Sequence, residues 1–332
     1  MTDLRTHAQA LMASGKGILA ADESVASADK RLALYGIEGS AETRRKFRDL
    51  FLNAPGSEDY LSGVILFSET LGQKGDDGVF FPLTLAKRGI APGIKVDEGT
   101  EPIPESPKEL ITKGLIGLPE RLAEFAKSKS VFTKWRAVVR IEGDQLPTAH
   151  AILENAKRLA AYARDVQTAG LVPILEPEVL LEGAHSRIRS QEVLQMTLTT
   201  LFSVLAEQSV DLSGIILKTA MAISGSASGK KDTPEEVAHA TVETLMATVP
   251  RDVPGIVFLS GGQTPDQATD NLRAIARAAN AAKAPWPLTF SYARALQEEA
   301  LEVWQGKEEN VALAREAFLA RLKKVSTAAR GE

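Results

Sequence analysis

In the stretch Val210-Asp211-Leu212-Ser213-Gly214-Ile215-Ile216-Leu217-Lys218-Thr219-Ala220-Met221, three consecutive aliphatic residues run straight into a lysine. A short unbroken apolar run of this kind suits a parallel strand covered on both faces. Lys218 then stands at the strand's end, where a polar mouth can begin. An amine in such a place is partly desolvated. Lowering a lysine from about 10.4 towards neutrality takes roughly 3 to 5 kcal/mol, within reach of burial and a neighbouring cation, and makes it nucleophilic at neutral pH. Taken alone, the stretch fits a lysine snorkelling from a strand end better than one that forms an imine. The remaining strands have to decide.

Working outward, similar runs recur. Residues 18–22 (Ile-Leu-Ala-Ala-Asp) read as strand one, after an amphipathic helix over 2–14 that Gly15-Lys16-Gly17 ends. Residues 63–67, 93–97, 131–141 and 171–176 read as strands two to five, the opening stretch as strand six, and 255–259 and 287–291 as strands seven and eight. Between them lie helical patterns. Residues 40–53 place Phe47, Leu50, Phe51 and Ala54 at i, i+3, i+4 and i+7, and Ile152 to Val166 form another stripe with Gly170 placed to cap it. Helices are also expected over 118–129 and 191–208, from Thr233-Pro234 and Thr264-Pro265 by N-cap and N1 chemistry, and over 311–325. The glycine-rich 71–89 and proline-rich 99–107 read as loops.

Eight apolar strands separated by helices predict an α/β fold, a (β/α)8 TIM barrel. It is expected as one domain over residues 1–332, with an N-terminal helix and a C-terminal helical extension. An open doubly wound sheet shows the same alternation, but no GxGxxG turn follows the first strand.

Composition narrows the function classes. The 332 residues, 44% hydrophobic, suffice for one large barrel or two ordinary domains. Thirty-nine Lys and Arg against 43 Asp and Glu give no general electrostatic reason to bind nucleic acid or an anionic membrane. The lack of cysteine removes thiolate nucleophiles, disulfides and cysteine-bound metals together. His7, His150, His185 and His239 are scattered and form no HxH or HExxH pattern, so no catalytic zinc is expected. The first residues, with Asp3, Arg5, His7 and Lys16, contain no apolar leader, and no apolar run approaches about 18 residues. A soluble, untargeted, cytoplasmic protein is expected.

In a barrel, chemistry gathers at the carboxyl ends of the strands. Asp22 ends strand one, Lys95 and Asp97 strand three, and Glu176 and Glu178 strand five. Lys134 and Arg136 share one cationic face of strand four, and Lys218 ends strand six. Any one of these is more often a barrel-locking ion pair, but so many charges in one mouth need a polar ligand or each other. Strand seven runs into Ser260-Gly261-Gly262-Gln263 before a helix start, a backbone suited to an anion, and strand eight into Ser291-Tyr292-Ala293-Arg294. A phosphate site after strands seven and eight is recurrent in this fold. Lys30 and Arg31, expected to open the helical run after strand one, are candidates for a second phosphate, though isolated charges of this kind are more often solvated surface.

The stretches GKGILAADES (15–24), GIKVDEG (93–99), Lys134-Trp135-Arg136, LVPILEPEV (171–179), Leu217-Lys218, FLSGGQ (258–263) and LTFSYARALQ (288–297) resemble class I fructose-bisphosphate aldolases, in order and along nearly the whole chain. The resemblance implies a glycolytic and gluconeogenic lyase needing neither cofactor nor metal. It implies that Lys218 forms a Schiff base with fructose 1,6-bisphosphate, with Glu176 as acid at the imine, Asp22 as base for the C4 hydroxyl and Lys134 as the neighbouring cation. It further implies ketone-side phosphate binding by Ser260, Gly261 and Arg294, with Ser291, Ser24, Lys30, Arg31, Lys95 and Arg136 as further phosphate or substrate contacts. The expected partners are the sugar bisphosphate and triose phosphates, with neither nucleic acid nor membrane, and a homo-oligomer, since the family is often tetrameric. The chain departs from familiar eukaryotic members at Ala293, Thr219 and Val25-Ala26, and in ending Ala329-Arg330-Gly331-Glu332 where those have a tail with a terminal tyrosine. A pyridoxal-phosphate barrel using the same lysine and phosphate cup, and a non-catalytic sugar-phosphate-binding scaffold, are the alternatives.

Overall fold

Strands too apolar to leave one face in water must be covered on both, and the chain meets this with eight parallel strands ringed by helices. The computed structural model describes residues 4–332. Its first part runs α1 (Leu4–Leu11), β1 (Gly17–Ala21), α2 (Val25–Ala33), α3 (Ala41–Leu52), β2 (Leu61–Leu66), α4 (Ser68–Leu71), α5 (Phe81–Lys87), β3 (Ala91–Lys95), β4 (Thr100–Ile103), β5 (Ser106–Thr112) and α6 (Leu118–Lys127). The second runs β6 (Phe132–Val139), α7 (Ala149–Thr168), β7 (Val172–Val179), α8 (Arg187–Glu207), β8 (Ile216–Thr219), α9 (Pro234–Thr248), β9 (Ile256–Phe258), α10 (Pro265–Ala281), β10 (Leu288–Phe290), α11 (Arg294–Trp304) and α12 (Val311–Ala329). The sheet order is β1-β2-β3-β6-β7-β8-β9-β10, all pairings parallel. The Ala20 N–H donates to the Tyr292 carbonyl at 2.9 Å, which brings β1 against the exit of β10 and curls the sheet into a nearly closed barrel.

Two apolar layers follow from strand alternation. Outward residues such as Leu19, Leu66, Trp135, Leu175, Leu217 and Phe258 join Phe47, Tyr162, Leu198, Leu272 and Phe318 of the helices in one large cluster. Inward residues Ile18, Ala20, Ile65, Phe132, Val172, Ile174, Ile216 and Val257 form a second, closed below by Ala8 and Leu11 of α1 with Met12. One inward step further along four of these strands the residue is charged. Ala20 gives way to Asp22, Phe132 to Lys134, Ile174 to Glu176 and Ile216 to Lys218. The barrel is thus a dry floor under an ionic ceiling.

The described structure corrects several expectations. Residues 71–89 are not all loop: α5 buries Phe81, Pro82 and Leu85, but its seven residues are too short to show a helical period. Residues 99–107 belong to a β4–β5 hairpin, where Pro102 and Pro107 are tolerated because each strand pairs on one side only. Strand five runs on through Glu176 to Val179, because it pairs with β6 as far as Val139. Strand four is shorter than 131–141, leaving Arg140 exposed beyond it. Lys30 and Arg31 close α2 instead of opening a helix. The first helix is Leu4–Leu11, and the Thr2 and Asp3 of the expectation lie outside the described residues. The expected 118–129 helix stops at Lys127, and Lys129 turns out with φ 66°. Helix α8 begins four residues early, because Ser186 accepts from the Arg189 N–H as its cap. The closing helix runs on to Ala329, and α11 was not expected at all.

The floor accommodates the Phe132 ring because β2 and β3 present glycines to it. A Cβ on Gly93 would lie 2.3 Å from the ring, and one on Gly63 3.0 Å from it and 2.9 Å from Leu11. Gly93→Ala should therefore cost about 1 to 3 kcal/mol in denaturant unfolding through overpacking. Adding Phe132→Leu should return part of that loss. A Gly93→Ala protein as stable as the parent would show that the floor is not close-packed.

Candidate active site

Glu176 reaches the ceiling because β7 lies between β6 and β8, so its inward residues meet side chains from both neighbours. Glu176 Oε1 lies 3.0 Å from Lys218 Nζ, and Oε2 lies 3.0 Å from Lys134 Nζ. Lys134 Nζ in turn lies 2.6 Å from Asp22 Oδ2. The charges alternate along the row Asp22, Lys134, Glu176, Lys218 and cancel overall, which is how four ions are tolerated at such depth. Lys134, Glu176 and Lys218 are 4%, 4% and 3% exposed, so these are not surface pairs screened by salt.

The row fixes two protonation states. Burial opposes the charge on Lys134, but Asp22 and Glu176, with Asp97 behind them, outweigh it and hold its pKa above the ordinary lysine range. Burial likewise pushes Glu176 up, and Lys134, Lys218 and Arg136 overcome it, leaving the carboxyl well below the usual glutamate range. Glu176 is thus an anion between two amines at neutral pH. Around it stand further pairs: Lys95 with Asp97 at 2.6 Å, and Arg136 with Glu178.

The row forms part of the lining of a cavity of about 750 Å³ at the carboxyl ends of the strands. At one end β9 leads into the turn 260–263, where Gly261 (φ 59°) and Gly262 (φ 101°) take left-handed conformations that favour glycine. The Leu259 N–H donates to the Thr219 carbonyl at 3.0 Å, tying this turn to the strand of Lys218. Ser291 is buried, and its Oγ has no partner among the described residues. Arg294 opens α11, exposed and without an ion-pair partner among the described residues. At the other end Ser24 caps α2, its hydroxyl 3.0 Å from that of Ser27.

Of the residues singled out from sequence, Asp22, Ser24, Lys95, Lys134, Arg136, Glu176, Lys218, Ser260, Gly261, Ser291 and Arg294 all line this one cavity. Lys30 and Arg31 do not. Lys30 is exposed on the last turn of α2, whereas Arg31 is buried, 2.7 Å from Glu23 Oε1 and donating to Gln297 Oε1 at 2.5 Å. Sequence reasoning missed Ser27, although it lies one helical turn from Ser24, and Glu23 and Gln297, whose meeting through Arg31 no local pattern announces.

The family profile described as "Fructose-bisphosphate aldolase class-I" matches residues 3–332. A Xanthomonas campestris pv. campestris protein named "Probable fructose-bisphosphate aldolase class 1" is 47% identical over 326 residues, 98% of this chain and 96% of the relative. The spinach (Spinacia oleracea) "Fructose-bisphosphate aldolase, cytoplasmic isozyme" is 47% identical over 330 residues, 99% of this chain and 91% of its own. The solved fructose-bisphosphate aldolase of Plasmodium falciparum, in complex with TRAP and a small-molecule inhibitor, superposes with a TM-score of 0.96 at 45% identity, covering 99% of this chain and 94% of that one. With the barrel and its buried lysine row already in place, these matches identify the chain as a member of the class I fructose-bisphosphate aldolase family.

Proposed function

We propose that this chain cleaves fructose 1,6-bisphosphate reversibly through an imine on Lys218, releasing dihydroxyacetone phosphate and glyceraldehyde 3-phosphate. The observation that carries the reading is the row Asp22, Lys134, Glu176, Lys218 opening into one cavity with the 260–263 turn. Glu176 takes a proton from the Lys218 ammonium, freeing an amine to attack the C2 ketone. Attack gives an ammonium alkoxide, which becomes the neutral carbinolamine as a proton passes from nitrogen to oxygen; its hydroxyl then leaves as water when Glu176 returns the first proton, which leaves a protonated imine. Lys134 stays charged throughout, holding Glu176 and Asp22 apart and steadying the developing alkoxide. Asp22 removes the C4 hydroxyl proton, the C3–C4 bond breaks, and its electron pair moves into the imine to give an enamine. Glyceraldehyde 3-phosphate leaves, C3 is protonated, and water releases dihydroxyacetone phosphate and the lysine.

Ser260, Gly261, Ser291 and Arg294 are the proposed holders of the ketone-side phosphate, supported by left-handed glycines, an unpartnered hydroxyl and an unpaired guanidinium along one wall. Ser24, Lys95 and Arg136 face the rest of the sugar. Arg31 gives its Nη1 to Glu23 and Gln297 and is not part of the cavity lining. One domain over residues 1–332 belongs to the same reading, because the first and last strands close one sheet. A homo-oligomer rests on the family resemblance alone. No described helix is long and apolar enough to cross a membrane; a cytoplasmic location rests on the likeness to the spinach isozyme.

Cleavage of fructose 1,6-bisphosphate coupled to triose-phosphate detection should proceed undiminished in EDTA and vanish in Lys218→Met. Activity that EDTA abolishes would contradict the reading. Glu176→Gln should lower kcat by about 10²- to 10⁴-fold, as expected for loss of a general acid. It should also destabilise the fold, leaving Lys218 without its carboxylate and Lys134 with Asp22 alone, by about 3 to 5 kcal/mol. Because the folded carboxyl is depressed, wild type holds this advantage above the unfolded glutamate value of about 4.3 and loses it as pH falls through the folded value. Denaturant titrations of both proteins across that range should show the gap closing; a gap independent of pH would mean Glu176 is not ionised in the fold.

A further inference from the structure

The 260–263 turn is held by a buried amide pair that is not itself part of the lining of the ligand cavity. Gln263 closes the turn, its N–H donating to the Ser260 carbonyl at 3.0 Å across Gly261 and Gly262. Its side chain is absent from the cavity lining and is 6% exposed. There Gln263 Oε1 accepts from Asn271 Nδ2 at 2.7 Å, and Gln263 Nε2 faces Met221 Sδ at 3.6 Å. Asn271 belongs to α10, the helix the turn leads into, and Met221 to the segment three residues past Lys218; both are 2% exposed. Three parts therefore meet at one amide: the turn, the helix behind it and the exit of the lysine strand.

Two left-handed glycines in succession give this turn little intrinsic preference for one shape, since glycine has the widest conformational freedom of any residue. Packing alone is a weak clamp on such a turn. A bonded amide is directional, because the Asn271 N–H₂ must meet the oxygen of Gln263, which fixes the plane of the Gln263 side chain and the backbone that carries it.

We infer that Gln263 and Asn271 are positioning residues that set the distance between the Ser260–Gly261 backbone and Lys218, and with it the enzyme's preference for ketoses phosphorylated next to the carbonyl. The inference rests on the reading of Lys218 as imine former and the turn as phosphate holder. The pair acts on substrate through the turn and never by contact. When it is lost, the phosphate and the carbonyl carbon no longer reach their partners together. The loss falls on phosphorylated ligands and spares the same ligand without phosphate.

The test compares dihydroxyacetone phosphate with dihydroxyacetone as inhibitors of cleavage, in wild type, Asn271→Ser, Gln263→Met and the double variant Gln263→Met/Asn271→Leu. The double variant replaces both polar partners by apolar groups of similar shape, a change that leaves stability nearly intact where a single change strands a buried polar group. The ratio of the inhibition constant of dihydroxyacetone to that of dihydroxyacetone phosphate should fall by about 10- to 100-fold in all three variants, the scale of a small misplacement of a binding group. It should stay low in the double variant even where its Tm returns to that of wild type. A ratio that recovers with Tm, or that stays within about twofold of wild type in the folded variants, overturns the inference and leaves a purely structural pair. If the double variant does not fold, the ratio in Asn271→Ser decides in the same way. A wild-type enzyme that shows no preference for the phosphorylated ketone would instead overturn the phosphate-holding reading beneath it.

Discussion

Everything at the mouth of this barrel depends on one carboxylate shared between two lysines. Glu176 stands 3.0 Å from both Lys218 and Lys134, deep enough that water cannot screen the three charges. Such a bridge is costly to assemble, and it persists because Asp22 supplies the fourth charge that makes the row neutral. Its consequence is chemical. The two lysines make Glu176 a weak base, yet it is the nearest acceptor for the proton that must leave before the amine can attack, and the same proton is then in place for the departing hydroxyl.

The barrel below exists to hold that row in register. Parallel pairing fixes how far along each strand the inward side changes from apolar to charged, and the floor of Ile18, Ile65, Phe132, Val172, Ile174, Ile216 and Val257 gives the charged residues a rigid base. Gly63 and Gly93 make the room that Phe132 takes, so the level of Lys134, one inward step above Phe132, depends on two residues with no side chain. The ligand-facing turn is a softer part. It is built on Gly261 and Gly262 and gains its stiffness from Gln263, Asn271 and the hydrogen bond of Leu259 to the lysine strand.

Much of this was legible in the sequence, for a physical reason. A lysine after Ile215-Ile216-Leu217 and a glutamate after Ile174-Leu175 interrupt runs that otherwise read as buried strand, so strand pattern and charge together pointed to Lys218 and Glu176. The barrel followed from counting such runs. The hairpin at Thr100–Ile103 and Ser106–Thr112 was not legible, since Pro102, Pro104 and Pro107 read as loop until pairing on one side only is known. The burial of Arg31 was hidden more deeply, for its partners Glu23 and Gln297 lie 8 and 266 residues away and are brought together only by the closing of β1 against the end of β10. The pairing of Gln263 with Asn271 joins a turn to the helix after it, where neither amide looks distinctive in the sequence.

The central claim is that the amine of Lys218, with Glu176 beside it, is the nucleophile. Borohydride reduction in the presence of dihydroxyacetone phosphate, followed by peptide mass mapping, tests it directly. The account predicts one stable adduct, on the peptide that contains Lys218. No adduct, or one on Lys134 or another lysine, would contradict it.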